Sequence, residues 1–154
     1  MVAYYLESSA LVKRYVVETG TAWVRSLSAS ASGNTLFIAQ IAGAEVVAAI
    51  TLRARRGTST SSDAAAAITN FRRDFALGYY AMPISLAVIG RAMDLTEKHG
   101  LRGYDAVQLA TALQVQAQRQ VNGLPSLIFI SADANLNAAA AAEGLIVDNP
   151  NAHP

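Results

Sequence analysis

Five short apolar runs alternate with longer stretches of helical periodicity, and this alternation limits the fold more than any other property of the chain. The runs cover residues 2–6, 35–39, 79–84, 126–131 and 145–148. They are too short for core helices and rich in β-branched and aromatic side chains, so they read as strands. Between them the spacing predicts helices over 9–18, 21–31, about 40–56, a segment ending near 78, 85–99, 104–121 and 134–143. Strands separated by helices imply right-handed crossovers. The expected fold is therefore α/β: a three-layer α/β/α domain with a mainly parallel sheet of four to five strands. Such sheets bind ligands beyond the carboxyl ends of their strands, where the strand order switches direction.

With 154 residues, the chain is expected to form one domain over residues 1–150 with a short C-terminal tail over 151–154. Its side chains are 53% hydrophobic and only 15% charged, so part of the surface is expected to meet another protein, a second copy of the chain included. No apolar run approaches the roughly 18 residues of a membrane span, and no basic leader precedes the first strand. A cytoplasmic location is expected. There is no cysteine, which excludes a disulfide framework, a thiolate metal site and a cysteine nucleophile. Net charge is +1, so any nucleic-acid contact has to come from a local patch.

Four acids occupy suggestive positions. Glu7 directly follows the first strand, and its plainer reading is an acid favoured at a helix start. Glu45 is the only charged residue in "IAGAEVVAAITL", residues 41–52. A carboxylate on so apolar a helix needs either a cation or strong donors, which means a buried ion pair to an arginine or a metal. Asp105, in "RGYDAVQLATAL", is placed to cap a helix with Gln108 as its capping-box partner. Asp133, in "FISADANL", follows a strand and can cap the next helix. If the four converge, pairs about 4 Å apart repel by about 4 kcal/mol at an effective dielectric near 20. An all-oxygen ligand set of this charge suits Mg²⁺ or Mn²⁺. Such a cation beside arginines points to phosphodiester chemistry.

The segments "YYLESSALVKRY", "HGLRGYDAVQLATAL" and "FISADANLNAAAAAEGL", with the isolated Glu45, resemble the motifs of PIN-domain proteins, specifically VapC-type toxins of toxin–antitoxin pairs. The resemblance runs from about residue 2 to residue 148. It implies a PIN-like fold, an Mg²⁺- or Mn²⁺-dependent endoribonuclease, an RNA substrate, a homodimer and a cognate antitoxin as partner. Glu7, Glu45, Asp105 and Asp133 fall on the family's acidic quartet, while Ser8 and Ser131 fall on its small hydroxyl positions. In that scheme Glu7 and Asp105 bind the metal most directly, Asp133 joins them or holds a metal water, and Glu45 acts through water. One departure stands out: the family's first acid is Asp, and here it is Glu7. The extra methylene moves the carboxylate by roughly 1.5 Å, which predicts weaker metal binding or slower turnover. The alternative is a catalytically impaired PIN-like module that binds antitoxin or RNA without cutting.

Lys13, Arg14 and Arg102 are the candidate phosphate contacts, being nearest the acids in sequence. Arg53, Arg55 and Arg56 read as a solvated helix end. His99 belongs to a helix C-terminus and His153 to a disordered tail, while Trp23 reads as core or interface. No G-x-G-x-x-G follows the first strand, against dinucleotide binding. A phosphoacceptor receiver domain would need a second acid beside Glu7 and a lysine after a late strand, and neither is present.

Overall fold

The computed structural model describes all 154 residues. Five strands, β1 (Ala3–Leu6), β2 (Thr35–Ala39), β3 (Tyr80–Met82), β4 (Ile128–Ile130) and β5 (Ile146–Asp148), form one sheet in the order β3-β2-β1-β4-β5. Every pairing is parallel, because helical crossovers return each strand in the same direction. The chain runs outward from β1 to β3 on one side, then crosses back to β4 and β5 on the other. The switch in strand order therefore falls between β1 and β4.

Seven helices cover the sheet: α1 (Ser8–Leu11), α2 (Thr21–Ser28), α3 (Ala42–Arg55), α4 (Ser61–Leu77), α5 (Leu86–His99), α6 (Gly103–Val121) and α7 (Ala134–Ala142). Alternation along each strand splits the core in two. Ala3, Tyr5, Ala39 and Phe129 point to the layer of α5, α6 and α7. Leu6, Leu36, Ile38 and Ile130 point to the layer of α1 to α4. Tyr5 stacks on Phe129 with ring centroids 5.6 Å apart. On the opposite face, fully buried Phe71 meets Tyr15 edge-on at 5.2 Å. Burying side chains of this size stabilises by about 1.5–3 kcal/mol each. This is the expected three-layer α/β/α architecture.

Two segments differ from expectation. The helix expected over 9–18 stops at Leu11 and tightens into a 3-10 turn over Val12–Arg14. The Thr21 hydroxyl accepts from the Glu18 amide and donates to the Val16 carbonyl, taking up backbone groups that a longer helix would have paired. The C-terminus, expected as a disordered tail, forms a 3-10 turn over Pro150–Ala152. His153 then stacks on Trp23 at 4.1 Å and bonds Asp148 at 2.9 Å. Gly20 lets the two segments meet: its φ is 86°, and a Cβ there would lie 2.3 Å from the Pro150 carbonyl oxygen.

Candidate active site

The carboxyl ends of β1 and β4 lie side by side, with Leu6 opposite Ile130. The chain leaves both strands there, and the Glu7 amide still donates to the Ile130 carbonyl at 3.0 Å. Glu7 caps α1 by accepting from the Ser9 amide at 2.9 Å. The same carboxylate oxygen, Oε2, accepts from the Ser9 and Ser131 hydroxyls, the latter at 3.2 Å. All of Glu7's side-chain hydrogen bonds thus converge on Oε2 and leave Oε1 without a partner. Ser131 also accepts from the Asp133 amide, and Ser9 from the Ala132 amide, so the two strand exits are stitched together.

The other three acids arrive from different elements by one shared device. Glu45 lies in the first turn of α3, Asp105 in the first turn of α6, and Asp133 caps α7 through the Leu136 amide at 3.0 Å. With Glu7 on α1, every acid heads a helix, where the positive end of the helix dipole and free amides favour negative charge. A single cleft takes in all four, together with Ser8, Ser9, Lys13 and Arg102.

Two plainer readings from the sequence are overturned. Glu45 has no arginine partner; its Oε1 accepts from the Gln108 amide at 2.8 Å. Gln108 is not a capping-box partner of Asp105, because Arg102 occupies the N-cap of α6 and Asp105 sits inside the helix. Gln108 is instead fully buried. It donates to Ser8 as well as Glu45 and accepts from the Tyr5 hydroxyl at 2.7 Å. Its spacing of three from Asp105, on the same helix face, was the available signal, but a capping motif and a buried clamp share that spacing. Ser9, whose hydroxyl spans the two strand exits, carried no signal that distinguished it from Ser8.

The candidate phosphate contacts part company. Lys13 is buried along its stem and lines the cleft, with Glu18 its ion-pair partner at 3.6 Å. Arg102 lines the same cleft. Arg14 is a correction: the 3-10 turn carries it away from the acids, onto the Tyr79 hydroxyl at 2.8 Å and Asp74 at 3.3 Å. His99 also lies outside the cleft, bonded at 2.7 Å to Glu143, which Lys98 and Arg91 hold as well.

Burial sets the electrostatics. It pushes the Glu7 carboxyl up to about 7 against the lowering effect of the Ser9 bonds. Burial raises Glu45 too, with the Gln108 bond opposing. As the side chains stand, no three acids or histidines are arranged to hold a metal ion. The donor chemistry nonetheless fits a hard cation. The cleft's acids offer carboxylate oxygens, with serine hydroxyls beside them and no nitrogen or sulfur ligand from His or Cys. The most buried of the four carboxyls keeps one unpartnered oxygen and a raised pKa, which is an unmet demand for positive charge.

No protein-family model matches the chain. Among curated proteins it is similar to Ribonuclease VapC45 and Ribonuclease VapC49 of Mycobacterium tuberculosis. Identity is 32% over 140 residues in each case, covering 91% of this chain and 90% of each relative. Among solved structures it is similar to FitAcB from Neisseria gonorrhoeae, with a TM-score of 0.64 and 16% identity over 96% of this chain and 97% of that one. It is also similar to VapBC2 from Rickettsia felis bound to a DNA fragment from their promoter, with a TM-score of 0.61 and 16% identity over 96% and 98% of the two chains. At these identities the structural likeness speaks to the fold.

Proposed function

The chain belongs to the VapC ribonuclease family, and from that premise we propose that it is the toxin of a toxin–antitoxin pair, an endoribonuclease dependent on Mg²⁺ or Mn²⁺. The observation that carries this reading is the convergence of Glu7, Glu45, Asp105 and Asp133, each at a helix start, on one cleft at the strand-order switch. Glu7, Asp105 and Asp133 would hold the ion, with Glu45 acting through water. When bound, such an ion supplies polarisation of the scissile phosphate and an acidified water as nucleophile. The chain's own residues do the rest. Ser9 and Ser131 orient Glu7, Gln108 orients Glu45, and Lys13 and Arg102, which both line the cleft, would meet the phosphate.

Glu7 also supports the second reading, an impaired module that binds antitoxin or RNA without cutting. Its Oε2 is saturated by serine donors, and Mg²⁺ wants ligands near 2.0–2.1 Å in octahedral geometry. A catalytic group misplaced by about 1 Å can slow a reaction about 100-fold. The test is RNA cleavage with Mg²⁺, Mn²⁺ or EDTA by the parent, Glu7→Asp and Asp105→Asn. We expect slow cleavage by the parent, faster cleavage by Glu7→Asp and none by Asp105→Asn or in EDTA. If all three fold and none cuts RNA, the enzyme reading fails. A homodimer face belongs to the same reading: Leu86, Met93 and Tyr104 stand exposed near one another in sequence on α5 and α6. Light scattering reads that state directly.

A further inference from the structure

We infer that Arg102 is the cleft's built-in counter-ion, held on Asp105 and Asp133 while no metal ion is bound and released from them when one enters. This rests on the metal-dependent reading of the cleft. Arg102 stands at the N-cap of α6 without using its side chain as a cap. That side chain is 82% exposed, so packing does not fix its position. Yet the guanidinium bridges two of the four acids: Nε donates to Asp105 Oδ2 at 2.9 Å, and Nη2 lies 3.6 Å from Asp133 Oδ2.

The oxygens involved make the contact competitive. Asp133 has committed Oδ1 to the α7 cap, so Oδ2 is the oxygen it has left to offer a ligand. A divalent ion that takes Asp133 Oδ2 competes with the guanidinium for that oxygen, and bound at Asp105, whose Oδ1 is not engaged, it repels the guanidinium from the same carboxylate. The cleft's other cations do not fill this role, because Lys13 and Arg53 both face Glu18. An exposed ion pair shifts an equilibrium constant by a factor of only about 1–5, so the exchange is within reach of a bound divalent ion. Arginine does not deprotonate in the accessible range, so release comes by displacement and not by titration. Once displaced, the guanidinium remains at the cleft mouth as a planar fork suited to an RNA phosphate. Metal loading would then prepare the substrate contact.

Two measurements test this. Mn²⁺ binding, followed by the electron paramagnetic resonance of the free ion, is compared for the parent, Arg102→Ala and Arg53→Ala. We expect Arg102→Ala to bind Mn²⁺ about threefold tighter and Arg53→Ala to bind it as the parent does. In the parent, titration with Mg²⁺ should expose the Arg102 Nε–H resonance to solvent exchange as its bond to Asp105 is lost. Equal or weaker Mn²⁺ binding by Arg102→Ala overturns the inference. So does an equal gain in Arg53→Ala, which would mean a general field effect, or an Nε–H that stays protected at saturating Mg²⁺. Absence of Mn²⁺ binding by both the parent and Arg102→Ala removes the metal reading itself, and the inference with it.

Discussion

Replacing Glu7 with glutamine removes the charge of the most buried acid in the cleft while keeping its size and its ability to accept from Ser9 and Ser131. Burial holds this carboxyl at about 7 in the fold, against 4.5 ordinarily. The fold therefore favours the protonated form. The associated stability is full below about pH 4.5 and is lost as pH rises through about 7. At about 1.4 kcal/mol per tenfold change in proton affinity, the ionised parent is less stable than Glu7→Gln by about 3 kcal/mol at pH 8. At pH 5 the same linkage leaves a difference of about 1 kcal/mol. For a chain of this length each kcal/mol moves Tm by about 2–4 °C. The gap between variant and parent should therefore widen by roughly 5–10 °C between pH 5 and pH 8. Thermal unfolding followed by circular dichroism in EDTA measures it at both pH values. A gap of the same size at pH 5 and pH 8 would refute the claim that an uncompensated buried charge sits at the end of β1.

Two further substitutions probe the supports of the site. Gln108→Leu leaves the Tyr5 hydroxyl and Glu45 without their buried partner, and should destabilise by about 3 kcal/mol and slow RNA cleavage by roughly 100-fold. Urea unfolding and single-turnover cleavage read the two effects separately, and a stability loss with cleavage intact would make Gln108 structural only. Gly20→Ala forces a Cβ against the Pro150 carbonyl at a φ of 86° and should destabilise by about 2 kcal/mol. A urea midpoint unchanged from the parent would mean that the C-terminal turn yields freely.

The architecture was legible because burial leaves a periodic trace. Tyr5 and Leu6 go to opposite layers of the sheet, and the apolar runs announce strands whose ends are where acids collect. Convergence of the acids was legible for the same reason, since a parallel sheet gathers all its strand exits on one edge. The details that sequence reading lost are those decided by one or two residues of register. Placing the third helix at residue 40 put Glu45 well inside an apolar helix; its start at Ala42 moves Glu45 into the first turn, at the positive end of the helix dipole. Lys13 and Arg14 looked equivalent as neighbours, but a 3-10 turn aims one into the cleft and the other at Asp74.

By itself, then, the sequence determined the layer order's ingredients, the parallel sheet and the identity of the four acids, because periodicity and strand-end position are local properties that side-chain chemistry imposes on the chain. Which partners the acids keep was decided only by the tertiary structure. Gln108 on Glu45, Ser131 on Glu7 and the reach of Arg102 to Asp133 are contacts between elements distant in sequence. Their geometry follows from how the helices pack on the sheet, and no spacing along the chain encodes it.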